Sequence, residues 1–188
     1  MLCDDRGVVV LWLALAFVFG AADQYVGSLS AHPWGADVSQ LSAPWLVLPF
    51  LVGAAQRTPR RAALLGLAST MLALVGYMLM TFSPVENAHL TARGVLDFMR
   101  GGNMRWFAAG VVTGPLFAWL GYRWRFRRSA IAGLAVTAVL CLEPWARNAY
   151  GNVIRSSWVT ATEVAAGAAF AVLVTVRSSL GRRLPGDG

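Results

Sequence analysis

The sequence of 188 residues lacks lysine and is poor in charge, with 13% charged side chains against about 25% in a typical soluble domain. Its two cysteines and two histidines form no disulfide framework and no metal-ligand spacing, so we expect no metal site. Glycine motifs for dinucleotides or phosphates are absent, as is a metalloprotease signature, and we expect no cofactor. These absences exclude an ordinary soluble enzyme.

Apolar residues are abundant, at 57% of the chain, and they lie in long runs. This composition is typical of a small polytopic membrane protein. All sixteen basic residues are arginines, and the net charge is +7. In a membrane protein such residues favour cytoplasmic loops beside anionic head groups, so the expected partner is the lipid bilayer and not nucleic acid.

The apolar runs predict an all-α, polytopic membrane helix bundle that forms a single domain over residues 1–188. The six predicted transmembrane helices cover about residues 7–27, 41–56, 61–82, 104–122, 128–146 and 156–176, followed by a cytoplasmic tail over 177–188. The first segment also resembles a signal peptide cleaved near residue 22. Asp4 and Asp5 spoil its positive flank, which favours retention.

The arginines predict the orientation of the chain. Eleven of the sixteen lie on one predicted side, in the loops QRTPRR and YRWRFRR, in the tail and at Arg6. This bias places both termini in the cytoplasm and the protein in the inner (cytoplasmic) membrane. Of the two long outer loops, one contains a predicted turn over residues 32–35. The other contains LTARGVLDFMR, which predicts a short helix on the outer membrane surface.

Three acids, Asp23, Glu143 and Glu163, lie in or near the predicted spans, all in the outer half. Because charge inside a membrane is costly, we expect them to converge on one small-ligand pocket. The predicted ligand-binding residues are Asp23, Gln24, Tyr25, Glu143, Trp145, Arg147, Asn148, Trp158 and Glu163. Structural explanations stay open: Arg147 neutralises Glu143, water reaches Glu163, and Asp23 caps the first helix.

The segments APWLVLPFLVGAAQRTPRRAALLG, WFAAGVVTGPLFAWLGYRWR and AVLCLEPWARNAY resemble an uncharacterised family of six-helix membrane proteins from high-GC bacteria. The architecture is also similar to the S component of energy-coupling factor transporters, which captures small solutes and works with an ATPase module. That resemblance implies a pocket beneath the first outer loop. It also implies a small-residue face at Ala14, Ala16 and Gly20 against a coupling subunit.

Three functional hypotheses follow. The first is a small-solute-binding or transport subunit with a pocket in the outer half of the bundle and possible ATPase partners. The second is an intramembrane enzyme acting on a lipid or isoprenoid, similar to a terpene cyclase, with Glu143 or Glu163, and Asp23, as catalytic groups. The third is a non-catalytic assembly partner that uses the small-residue face of Ala161, Ala165 and Ala169. The sequence leaves open whether the protein is an enzyme.

Overall fold

A computed structural model of the chain describes residues 5–29, 31–151 and 154–183, and within these ranges it contains helices and no strand. The helices are α1 (Asp5–Ser28), α2 (Pro33–Ser39), α3 (Ala43–Ala54), α4 (Pro59–Thr81), α5 (Ala92–Phe98), α6 (Met104–Phe126), α7 (Ala130–Ala149) and α8 (Ser157–Arg183). A 3₁₀ turn at Pro84–Glu86 precedes α5, and a wide turn at Met99–Asn103 follows it. The predicted all-α class is confirmed.

Four of the described helices are long and apolar enough to cross a membrane. The four spans are Gly7–Ser28 in α1, Pro59–Thr81 in α4, Ala130–Ala149 in α7 and Ser157–Val176 in α8. Helix α3 is apolar but has only 12 residues, fewer than the roughly 20 that a straight crossing needs. The chain is therefore a multi-pass membrane protein.

The loops and the C-terminal segment contain more helix than the sequence predicted. The predicted turn at residues 32–35 instead begins α2, because Pro33 occupies the first helical turn, where its missing N–H is not needed. The predicted surface helix is present as α5. Helix α8 continues to Arg183, so the predicted tail is helical from 177 to 183, and residues 184–188 lie outside the described residues.

Glycines allow the helices to approach at backbone distance. A Cβ atom on Gly20 of α1 would overlap the carbonyl oxygen of Ala73 in α4, and one on Gly53 of α3 would overlap that of Ala118 in α6. Gly20 and Ala16 are therefore buried inside this chain's own bundle. The coupling face implied by the S-component resemblance is not free in this structure, although Ala14 is exposed.

The long helices gather at two ends. At one, the cavity end, α1, α4 and α7 finish where α3, α6 and α8 begin. At the opposite, arginine end, the guanidinium Nη1 of Arg125 in α6 donates to the last carbonyl of α3, at Ala54, over 3.2 Å. The loops there and the adjoining helix ends contain Arg57, Arg60, Arg61, Arg123, Arg127 and Arg128. Between the ends, Phe50, Phe117 and Val136 form the apolar core of α3, α6 and α7.

Candidate functional site

Glu143 of α7 caps the start of α3 from a distant part of the chain. Its Oε2 accepts the backbone N–H of Ala43 at 2.6 Å, and its Oε1 accepts the backbone N–H of Ser42. Arg147, one turn further along α7, donates Nε to the same Oε1 at 2.8 Å and also donates Nη2. A carboxylate at a helix N-terminus satisfies free N–H groups and complements the helix dipole. Glu143 thus has a structural role.

Glu163 of α8 lies next to the Glu143–Arg147 pair. Its side chain is 5% exposed, and both carboxyl oxygens lack a hydrogen-bond partner among the described residues. Glu143 and Arg147 are the groups that act on it electrostatically. The structure therefore brings two of the three predicted acids together, with Arg147 acting on both.

Asp37 of α2 caps the start of α8 by the same device. Its Oδ2 accepts the backbone N–H of Ser156 at 2.8 Å, and its Oδ1 accepts that of Arg155 at 3.2 Å. Burial raises the pKa of the Asp37 carboxyl, but hydrogen bonds from Ser156 and Arg155 and the charge of Arg155 outweigh burial, so its pKa lies below the ordinary value. Asp37 ties the segment between α1 and α3 to the start of α8.

The main cavity of about 420 Å³ lies at the cavity end, within the size range of small-ligand sites. Every long helix except α8 contributes to its wall. The lining residues are Asp23, Ser39, Gln40, Leu41, Ser42, Trp45, Leu46, Thr70, Leu74, Tyr77, Phe98, Asn103, Trp106, Phe107, Ala109, Gly110, Thr113 and Arg147. Most of these are apolar or aromatic, and few are charged.

Three buried polar atoms on this wall have no partner among the described residues: Asp23 Oδ2, Thr70 Oγ1 and Arg147 Nη1. They are a carboxylate acceptor, a hydroxyl and a guanidinium donor, and they come from α1, α4 and α7. Leaving a buried polar group unpaired costs about 1–3 kcal/mol, so such groups normally face a ligand or water. The three side chains line the cavity, and their unpaired atoms are covered by protein atoms in this structure, so a ligand would reach them through a small side-chain shift.

Aromatic rings surround the acidic side of the main cavity. Trp45 lies beside Asp23 on this wall, and Trp45 and Tyr77 lie with ring centroids 6.1 Å apart. Phe19 packs edge-on against Trp45 at 5.2 Å. An anion beside electron-rich ring faces is suited to a positively charged or N–H-bearing group.

A second, shallower cavity of about 360 Å³, the side groove, lies between the end of α7 and the start of α8. Arg147 lines both cavities, and the predicted residues Trp145 and Asn148 line only the side groove. Trp145 is 65% exposed, which does not suit a shielding wall.

Of the other predicted site residues, Gln24 and Tyr25 follow Asp23 but do not line either cavity. Trp158 is 53% exposed and packs against Trp34 of α2, with ring centroids 6.1 Å apart. Asp23 shares the main cavity with Arg147, whereas Glu143 and Glu163 stand behind it. The predicted set therefore divides between a cavity, a groove and the surface.

Several functional candidates escaped the sequence analysis. Trp45, Trp106, Thr70 and Asp37 are not among the predicted site residues. Thr70 could have been identified as a candidate site residue, because its hydroxyl lies inside an apolar run of the sequence. Within the described residues, no three His, Cys, Asp or Glu side chains lie close enough to hold a metal ion.

The fold and the cavity define an all-helical, multi-pass membrane protein with a mostly apolar cavity, carrying a few polar groups, at one end of its bundle. The chain belongs to a family described as a family of unknown function (DUF6518), whose sequence profile matches residues 5–185. The expected membership of an uncharacterised family is thereby confirmed. Comparisons with curated proteins and with solved structures give no match.

Proposed function

We propose that this protein is a small-solute-binding subunit of the cytoplasmic membrane and that the solute occupies the main cavity. The observation that carries the proposal is that three residues from three helices line one cavity and each keeps one buried polar atom unpaired among the described residues: Asp23, Thr70 and Arg147. A solute with a donor or cationic group for Asp23 and an acceptor or anionic group for Arg147 satisfies all of them.

The proposed topology has six crossings, with both termini in the cytoplasm and the cavity end outside. Two features support it: helix directions alternate along the chain, and the arginine end holds the two arginine-rich loops. Single cysteines at Ala88 and at Arg127, with the native cysteines replaced, test the orientation in intact cells. A membrane-impermeant maleimide should label position 88 and not 127, and the reverse pattern contradicts the proposed orientation.

Native mass spectrometry of the full chain, released from nanodiscs made with native lipid extract, tests solute binding. We expect a retained small molecule. Asp23→Asn and the near-isosteric Thr70→Val should reduce its occupancy, because each removes one group that the solute satisfies. Thr162→Val is the matched control, because this exposed hydroxyl bonds only its own helix, at the Trp158 carbonyl. Failure to retain any molecule across several mild preparations would overturn the proposal.

A transport role further requires a source of energy, and ATPase coupling subunits are the proposed partners. Purification of the protein from native membranes tests this proposal, because ATPase subunits should then co-purify with it. The enzyme hypothesis has less support. Of its candidate acids, Glu143 is saturated by the backbone N–H groups of Ser42 and Ala43 and by Arg147, and Glu163 lines neither cavity.

An assembly role is favoured by one separate observation. Ala161, Ala165 and Ala169, spaced by four on α8, are all exposed, so the face is open to another helix. Ala165→Trp should abolish a cross-linked complex in membranes. Ala130→Trp, at the first residue of α7 and away from this face, should leave the complex intact. A chain that cross-links to nothing contradicts this second function.

A further inference from the structure

Helices α6 and α7 both line the main cavity at the cavity end. Near the loop that joins them the two helices are packed closely: a Cβ atom on Gly133 would lie 2.9 Å from the Trp124 ring. Further along, α6 contributes Trp106 and Ala109 to the cavity wall and α7 contributes Arg147. The space between the two helices at this end is thus cavity.

Part of this wall is also outer surface. Trp106 is 53% exposed, and Ala109, one turn later, is exposed as well. The same face of α6 continues with Val112 and Leu116, which are 65% and 46% exposed. Residues spaced by three and four share one helix face, so a continuous apolar strip runs from the cavity along the outside of α6.

We propose that the bound molecule is an amphiphile with a zwitterionic head group, which reaches the main cavity sideways between α6 and α7 and leaves its apolar chain along the outer face of α6. The amine lies at Asp23, and the phosphate or carboxylate lies at Arg147. This inference rests on the proposed function and on the proposed crossing by α6; it adds the ligand class and the route.

The two charged ends of the cavity select for a zwitterion. The unpaired oxygen of Asp23 and the rings of Trp45 and Tyr77 suit an ammonium group. The free Nη1 of Arg147 suits a phosphate or carboxylate oxygen. A purely anionic head group would meet the Asp23 carboxylate, and a purely cationic one would meet Arg147. Either of these head groups would also leave one buried side chain unpaired, Asp23 or Arg147.

The test uses the full chain in nanodiscs with equal parts of phosphatidylethanolamine and phosphatidylglycerol, followed by mild release and native mass spectrometry. We expect the retained lipid to be enriched in phosphatidylethanolamine. Asp23→Asn should weaken this enrichment about tenfold, because a hydrogen bond between two charged groups is lost. Ala109→Trp should block retention by filling the lateral opening, whereas Ala108→Trp is the control on the neighbouring exposed position outside the cavity wall.

A second arm uses the soluble head group, glycerophosphoethanolamine, as a competitor. The ligand is a soluble zwitterion if this competitor displaces the lipid fully and binds the Ala109→Trp and Ala108→Trp variants equally well. In that case the proposed amphiphilic ligand is wrong, and the proposed solute site stands. Equal retention of both lipids, unchanged by Asp23→Asn, overturns the zwitterionic class. If wild type retains neither lipid nor head group, this inference is overturned, and the native-extract experiment alone decides the proposed function.

Discussion

Replacing Glu143 by glutamine should destabilise the fold far more than the same change at its neighbour Glu163. The two residues have the same side chain, lie side by side and are both buried, at 8% and 5% exposure. They differ in partners: Glu143 binds two backbone N–H groups of α3 and the guanidinium of Arg147, whereas the oxygens of Glu163 bind none among the described residues.

The size of the expected destabilisation follows from the interactions of Glu143 that a glutamine side chain is unable to make. Its amide keeps one acceptor oxygen, places an NH₂ donor where Ala43 N–H or Arg147 needs an acceptor, and removes the charge that Arg147 pairs with. Breaking a buried ion pair from one side costs about 3–5 kcal/mol. Glu163 stands close enough to supply part of the missing charge, so we expect about 3 kcal/mol for Glu143→Gln. Glu163→Gln removes a buried carboxyl group whose oxygens have no partner among the described residues, and it should be neutral or mildly stabilising.

Unfolding of both variants in mixed micelles of increasing sodium dodecyl sulfate, followed by far-ultraviolet circular dichroism, measures the difference. Asp97→Asn, at an exposed acid in α5, gives the baseline for an amide substitution that loses nothing buried. If Glu143→Gln unfolds with the midpoint of Glu163→Gln and Asp97→Asn, Glu143 neither caps α3 nor pairs with Arg147, and the account of the cavity end is wrong.

Two further predictions concern the second cap and the glycine contacts. Asp37→Asn should destabilise the chain by about 1 kcal/mol, because it weakens the cap of α8. The pKa of Asp37 in the folded protein lies below its ordinary value of 3.8, so the carboxylate's contribution to stability is complete above that pH and is lost as the pH falls below it. Wild type and Asp37→Asn should therefore have the same unfolding midpoint in acid. Gly53→Ala should lower the free energy of unfolding by about 1–3 kcal/mol, because it overpacks the α3–α6 contact. Gly101→Ala is the control and should leave the unfolding midpoint unchanged, because its Cβ would meet nothing within 4 Å. Equal midpoints for the two variants would contradict the close approach of α3 to α6.

The sequence predicted helices well because apolar runs bounded by arginine-rich or polar loops are a local signal. It predicted the site less well because direction around a helix is set by packing. Asp23 faces the cavity, and since successive helical residues point about 100° apart, its neighbours Gln24 and Tyr25 turn away from it. The partners of Glu143 at the start of α3 are backbone groups about 100 residues away, which no spacing rule reveals.

The contrast between paired and unpaired acids strengthens the case for a ligand. At the same end of the bundle, Glu143 and Asp37 meet the starts of α3 and α8 with short hydrogen bonds, so this fold is able to satisfy buried carboxylates with its own backbone. Asp23 and Arg147 nevertheless keep one unpaired atom each on the wall of a single cavity. Holding Arg147 back on Glu143 keeps the two charges apart and the space between them open, which is the arrangement that a binding site for a zwitterion requires.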